Sequence, residues 1–455
     1  MNILLISTYE LGRQPFGLAS PAAWLRKNGH RVSCLDLSRE ALSEQAVREA
    51  RLIAFYVPMH TATRLTLELV KPIRAGNSDA HLCAYGLYAP LAAESLRAHG
   101  MESLLGGEFE QALVDLAGHL SGSSALPQIH ALDSNISLAR LRFLTPDRSD
   151  LPALKNYAHL VTPEPEHRVV GYTEASRGCK HLCRHCPIVP VYNGVFRIVD
   201  RDVVLADIRQ QVNSGAQHIT FGDPDFFNGV GHTMPLVEAL HQEFPRLTYD
   251  VTIKIEHLRR DAKLLPKLRE TGCLFIVSAV ESLDDGILEK LQKGHTRADF
   301  LHVVEDCRRA GIVLQPTFLP FTPWTTFENY LDLLAELRRL DLVGAVAPVQ
   351  LAVRLLVTAG SRLLEMPDIR ERAQPYDRKS LAYPWRHCDP ELDRLCEDLQ
   401  RVVEEGEKAK ESREQIFETI WRTAHRAAGC VEEAKREFRT EGSRAVLYLN
   451  EPWYC

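Results

Sequence analysis

The sequence lacks the features that would commit it to a membrane, to export or to a nucleic acid. Its first residues, MNILLISTYELG, hold only a short apolar run with no basic stretch before it, which is not the pattern of a signal peptide. No apolar stretch approaches the ~20 residues that a spanning helix needs. There is no excess of positive charge: the net charge is −6, whereas a nucleic-acid partner would call for a basic footprint. Internal repeats and low-complexity tracts are also missing. The expectation is a cytoplasmic protein with neither membrane nor nucleic-acid partner. What is present is ordinary for a globular chain: 455 residues, 45% hydrophobic and 25% charged. That length suggests about three domains and a core large enough to need no covalent staples.

Cysteine is not scarce. The chain has eleven, an odd number, and in a reducing compartment they are not expected to pair. Cys34, Cys83, Cys273 and Cys307 lie in apolar runs and read as small buried hydrophobes. Cys179, Cys183 and Cys186 fall within eight residues, a spacing that suggests metal or cluster chemistry.

The chain reads as two βα series. In the first, strand patterns at Asn2–Ser7, Arg31–Asp36, Leu52–Pro58, His81–Gly86 and Ser103–Gly106 alternate with helix patterns, including Ser20–Asn28, Arg64–Ala75 and Ala89–His99. This order predicts a doubly wound, Rossmann-like parallel sheet over residues 1–125, with ligands at the carboxyl ends of its strands. A stretch rich in Ser, Asp and Pro predicts a linker over 126–167. From residue 168 to 369 six further strands are expected: Val169–Glu174, His218–Phe221, Tyr249–Ile255, Leu274–Ala279, Val313–Phe318 and Val346–Ala352. Six βα units are fewer than the eight, in ~250 residues, of a complete barrel, so a partial (βα)6 barrel is expected. Residues 370–455 read as a helical region with an apolar–aromatic end.

The cysteine segment is Gly178-Cys-Lys-His-Leu-Cys183-Arg-His-Cys186-Pro187. Three thiolates at spacings of four and three can hold a four-iron cubane and leave one iron open to a chelating molecule. The competing readings are a structural zinc site with His181 or His185 as fourth ligand, and an inert cysteine-rich loop.

Cys-x3-Cys-x2-Cys after the first strand of a partial barrel resembles the radical S-adenosylmethionine (SAM) superfamily. The resemblance implies a [4Fe–4S] cluster on Cys179, Cys183 and Cys186, SAM chelated to the open iron, and reductive cleavage of a C–S bond to modify a small-molecule substrate. It also implies an electron donor such as flavodoxin or ferredoxin. His185, before the third cysteine, corresponds to an aromatic position near the adenine. Phe221-Gly222-Asp223-Pro-Asp225 is similar to the segment that meets the SAM amine; a plain Gly/Asp/Pro turn is the alternative. Glu281-Ser282, followed by Lys293-Gly-His-Thr296, resembles a pattern of cobalamin-type members in which the Glu-Ser pair lies by the ribose and adenine. Lys254 and Arg354, near strand ends, are candidate partners of the SAM carboxylate, or else surface charges.

Residues 1 to about 120 resemble the cobalamin-binding domain that precedes many such barrels, but Asp-x-His-x-x-Gly, the source of a cobalt ligand, is absent. The first loop reads Ser7-Thr-Tyr-Glu-Leu-Gly12. Either cobalamin binds without a histidine or the domain has lost it; His60 is a substitute candidate. Ser7–Leu25, Ala175–Gly194, Asp207–Asn228, Lys293–Trp324 and Tyr383–His387 are similar to a family named for a Cys-Cys-Ala-Glu-Pro or Cys-selenocysteine-Ala-Glu-Pro tail. Here the chain stops at Glu451-Pro-Trp-Tyr-Cys455. The resemblance suggests that a UGA codon for selenocysteine follows, making Cys455 half of a reactive vicinal pair; a lone terminal cysteine is the alternative. A related family alkylates trivalent arsenic with the 3-amino-3-carboxypropyl group of SAM, suggesting a soft-element or thiol acceptor. Set against these enzyme readings is a redox or metal-handling protein that holds iron–sulfur or zinc.

Overall fold

The computed structural model describes residues 1–122, 135–162, 167–430, 432 and 447–450. Two sheets organise it. The first contains β1 (Asn2–Ser7), β2 (Arg31–Asp36), β3 (Leu52–Tyr56), β4 (His81–Tyr85), β5 (Ser103–Gly107) and β6 (Asn135–Ser137), all parallel, in the order β2-β1-β3-β4-β5-β6. Its central strands are buried on both faces, as helix-covered parallel sheets must be: every residue of β3 and all but one of β4 are inside. The doubly wound expectation holds, with two adjustments. The helix expected over Ala89–His99 breaks at Ala92 into Tyr88–Leu91 and Ala93–Ala98. The sheet also gains β6 from within the expected linker.

The rest of that linker is stitched to both sides. Arg148 bonds Asp207 through Nε (2.7 Å) and Nη2 (2.9 Å), and reaches Gln14 Oε1 and Tyr172 O (both 2.7 Å). Arg26 pairs with Asp147 and Asp150.

The second sheet starts with β7 (His159–Val161), antiparallel to β8 (Arg168–Thr173). A short antiparallel pair, β9 (Ser176–Gly178) and β10 (Phe196–Ile198), leaves its top. Four more strands extend from β8 in parallel: β11 (His218–Phe221), β12 (Thr248–Thr252), β13 (Cys273–Glu281) and β14 (Val313–Phe318).

The half-barrel therefore has five parallel strands, and the sixth expected strand is corrected. Val346–Ala352 forms a 3-10 turn at Pro348–Leu351 after another at Val343–Ala345. Pro348 has no N–H for a sheet ladder, and the Gln350 side chain instead accepts from Phe318 N (3.2 Å) at the end of β14. The open side is closed by β15 (Tyr448–Leu449), antiparallel to β7 and hence running in the sense of β8. Gln315 Nε2 of β14 donates to Leu447 O (2.5 Å), completing the ring of strands.

The C-terminal helices Pro390–Ala409 and Arg413–Ala427 form an antiparallel pair. The first buries Leu392, Leu395, Cys396, Leu399 and Val403, a stripe at helical spacing. The second starts at a Ser412/Gln415 capping box. Among the described residues no helix is long and apolar enough to cross a membrane.

Candidate active site at the cluster loop

The cysteines follow directly from β9. Gly178 (φ +74°) makes the turn, and a Cβ there would lie 2.4 Å from the Tyr192 ring and 2.5 Å from Val195 O, so no side chain fits. Cys183 is buried and its carbonyl accepts from Cys186 N (3.2 Å). Burial pushes the Cys179 thiol up, and the Cys186 thiol up to about 12. These sulfurs become thiolates only against a bound cation, which reverses the cost of burying their charge.

Other segments pin the loop. Asn228 Oδ1 accepts from Lys180 N (3.3 Å) and Arg184 N donates to Leu291 O (3.0 Å). The segment after the barrel covers it: Ser361 Oγ donates to Arg184 O and Arg362 Nη1 to Leu182 O, each at 3.2 Å.

Five of the candidate binding residues gather around this loop. Glu281 ends β13 in a left-handed conformation (φ +70°), a costly geometry for a non-glycine residue. Its Oε1 meets His185 Nε2 (3.1 Å) and Lys293 Nζ (3.3 Å). Although burial opposes it, the charges of Lys293 and then His185 hold this carboxyl down at about 2. His185 thus engages a carboxylate through Nε2. Asp225, buried, faces His257 Nδ1 (2.6 Å) and His181 Nε2 (3.3 Å) through Oδ2. Burial opposes its charge, but hydrogen bonds from His181 and His257 hold the carboxyl below its ordinary range. Lys254 Nζ reaches Glu256 and His181 Nδ1, both at 3.0 Å. Asp223 lies under the loop, accepting from Ala175 N (2.9 Å) and Ser176 Oγ. Burial raises its carboxyl to about 7.

Gly222 is imposed by packing, since a Cβ would sit 1.8 Å from the Tyr172 hydroxyl. It lines a cavity of about 130 Å³ inside the barrel, shared with Thr220, Asp250, Thr252, Gln315 and Tyr448.

Three candidates lie elsewhere. Ser282 Oγ accepts from Asp284 N (3.0 Å) and shapes the turn into the next helix. Arg354 bonds Asp393 (2.7 Å) and Trp385 O (2.6 Å) and stacks on the Trp385 ring at 3.7 Å. It anchors the C-terminal helices, and the expected carboxylate-binding role is corrected accordingly. Cys455 is outside the described residues. Four residues central to this arrangement escaped sequence reasoning as site residues: Arg177, Glu174, His257 and Lys293. Lys293 stood in a quoted motif; the others carry no periodic or spacing signal.

The donor set fits a [4Fe–4S] cluster with SAM. Its donors are the three free thiols of one pinned loop, Cys179, Cys183 and Cys186; Cys179 also converges with His181 and Asp225, ligand atoms within 4.8 Å of one another, a mixed set that does not include the other two cysteines. Beside the loop, Asn228 hydrogen-bonds the Cys179 thiol, and the buried His295 ring bonds the backbone of Lys293.

The N-terminal domain fits cobalamin poorly. His60 Nε2 is 2.6 Å from Ser380 O, bound to backbone and not presented to a cobalt. The carboxyl ends of β3, β4 and β5 are covered by Tyr56, Tyr85 and Phe109, whose ring centroids lie 5.0–5.9 Å apart.

Comparisons with known proteins agree with this geometry. The radical SAM superfamily model matches residues 173–341. The hopanoid C-3 methylase of Methylococcus capsulatus is 23% identical over 334 residues, 70% of this chain and 64% of that protein. The bacteriochlorophyllide d C-8(2)-methyltransferase of Chlorobaculum tepidum is 26% identical over 212 residues, 42% of this chain and 46% of that protein. The chain thus spans between about half and two thirds of the length of these relatives. Among solved structures, the cobalamin-dependent SAM radical enzyme OxsB, with aqua-cobalamin and SAM bound, superposes with a TM-score of 0.71. The match covers 89% of this chain and 67% of that one at 15% identity, which establishes the shared fold. With the family model lying over the three thiols and the loop that carries them, residues 173–341 are a radical SAM domain, built for a [4Fe–4S] cluster and SAM.

Proposed function

We propose that the chain cleaves SAM reductively and uses the fragment to modify or alkylate a small molecule. The observation that carries this is the pinned loop at the barrel mouth, which holds three free cysteines next to the charged side chains of Lys254, Asp225 and Glu281. The bound cluster would supply the electron and leave one iron for SAM. On the protein side, Lys254 offers a cation for the SAM carboxylate, His185 and Glu281 would flank the adenine and ribose, and Thr220, Asp250 and Gln315 line the 130 Å³ barrel cavity. The names of the relatives point toward methyl transfer. Anaerobic reconstitution with iron, sulfide, SAM and dithionite, followed by mass spectrometry, tests the reading. A nucleoside product is expected, and its identity names the bond: 5′-deoxyadenosine, methylthioadenosine or S-adenosylhomocysteine. A fully iron-loaded protein that yields none of them would sink it.

A second reading is transfer of a SAM-derived methyl or 3-amino-3-carboxypropyl group to a soft-element or thiol acceptor held by the Cys455 tail. The support is β15, built into the barrel wall parallel to β8, so that the chain at Asn450 heads toward the end bearing the cluster loop. Sequencing the codon after Cys455 and alkylating the tail before turnover test it. A sense codon for neither cysteine nor selenocysteine, with undiminished turnover after alkylation, would remove it.

A further inference from the structure

We infer that the N-terminal domain works as a clamp on the cluster loop and not as a cobalamin carrier, so that the SAM chemistry of this chain runs without a corrin. The inference rests on the proposed function for the cluster and goes beyond it in assigning the domain a different role.

In an open parallel sheet, ligands lie against the carboxyl ends of the strands, at the crevice between neighbouring connections. Here that crevice faces β9 and the cysteine loop, and the protein's own side chains fill it. Tyr56 lies flat against the helix Phe16–Lys27: a Cβ on Gly17 would fall 2.2 Å from its ring, so the phenol already occupies the groove that a missing side chain opens. Tyr85 closes the next gap by donating its hydroxyl to Gly17 O (2.8 Å). Phe109 packs on both rings. The chamber that remains, between Tyr56, Phe109, Leu87, Tyr192 and Arg177, holds about 180 Å³.

The rest of the crevice is taken by an ion network that ties the two sheets together. Arg177, two residues before the first cluster cysteine, is buried at this boundary. It bonds Glu174 Oε2 (2.7 Å) on its own segment, and Glu110 Oε2 (3.0 Å) and Glu108 Oε2 (3.3 Å) across it. Phe16, Phe109 and Phe143 surround its guanidinium at 5.0–5.6 Å. Tyr192 reaches across to Glu108 Oε1 (3.1 Å), and Ser20 secures Glu110 (2.7 Å). A ligand that pushed Arg177 aside would separate a buried cation from its Glu110 and Glu174 partners, and removing one partner of a buried ion pair is strongly unfavourable. Arg177 is therefore a positioning residue for the cluster loop.

The test uses the full-length chain, reconstituted anaerobically with iron and sulfide in the presence of excess hydroxocobalamin and then desalted. The expected result is about four irons per chain with no corrin absorbance. Retention of one corrin per chain overturns the inference while leaving the proposed function standing; absence of iron would instead strike at that function. The clamp is read in Arg177→Lys, which keeps the charge but loses the forked geometry. Its reduced cluster is expected to show an altered EPR spectrum on adding SAM and a several-fold loss of SAM cleavage, with iron loading retained. Should that variant fail to fold, Glu110→Gln carries the same readout. An EPR spectrum and turnover unchanged from the parent in a folded variant would reject the clamp.

Discussion

The two sheets of this protein are alike in their strands and opposite at their ends. The first is all parallel and the second has a core of five parallel strands; both bury apolar strands under helices, and the ends of both line one pocket at their boundary. At the end of the first sheet the space is taken by Tyr56, Tyr85, Phe109 and the Arg177 network. At the end of the second stand the three thiols of the cysteine loop and a cavity of about 130 Å³ inside the barrel. One architecture thus serves as a scaffold in one half and as a site in the other. The difference lies in a handful of side chains at strand ends and not in the fold.

The sharpest way to break this contrast is at the thiols. Cys183→Ala is expected to abolish cluster assembly and SAM turnover while the far-ultraviolet circular dichroism stays that of the parent. Normal iron content in that variant would show that the second sheet's end is not the cluster site. The next largest effect is expected at Glu281→Gln, which leaves Lys293 buried without its carboxylate. Breaking a buried pair costs about 3–5 kcal/mol, so the denaturant midpoint should fall sharply. No change in midpoint would mean that the charged lining of the site is solvated.

A pH series probes the scaffold half. Burial raises the Glu108 carboxyl to about 7, against the counteracting charge of Arg177. The folded protein therefore keeps this proton up to about pH 7, whereas the unfolded chain releases it near its ordinary value of 4.5. Between those values the unfolded state binds fewer protons, so stability falls as pH rises. The slope should flatten in Glu108→Gln, by an amount on the order of 1–3 kcal/mol across the window. Identical pH profiles for the two proteins would show that the network carries no retained proton. The smallest effect concerns the turn beside Glu281. Asp284 accepts from Ile287 N (3.0 Å) as a helix cap, and Asp284→Ala should cost about 1 kcal/mol with iron loading unchanged. Loss of iron there would extend the site into a segment assigned here to local structure.

Much of the fold was legible along the chain because parallel strands announce themselves as short apolar runs between helical patterns. β1, β2, β11 and β14 lie at the residues their patterns implied. The cysteine motif was legible for a related reason: its three thiols lie on one short loop, close together in sequence. Where reading failed, the failure was physical. Val346–Ala352 has the apolar content of a strand, yet Pro348 and a hydrogen bond accepted by the Gln350 side chain from Phe318 N replace the ladder. β6 and β15, at three and two residues, are too short to leave a pattern. Arg354 looked like a strand-end cation, but its partner Asp393 lies 39 residues further on.

By itself, then, the sequence determined the βα order, the two sheets and the run of three cysteines proposed as ligands, since each depends on residues near one another along the chain. Tertiary structure alone decided how the sheets meet. Arg177 finds Glu108 and Glu110 across 69 and 67 residues, and Gln315 finds Leu447 across 132. Contacts at such separations leave no local pattern, because either partner could face water as well as the other until folding brings both to one buried boundary.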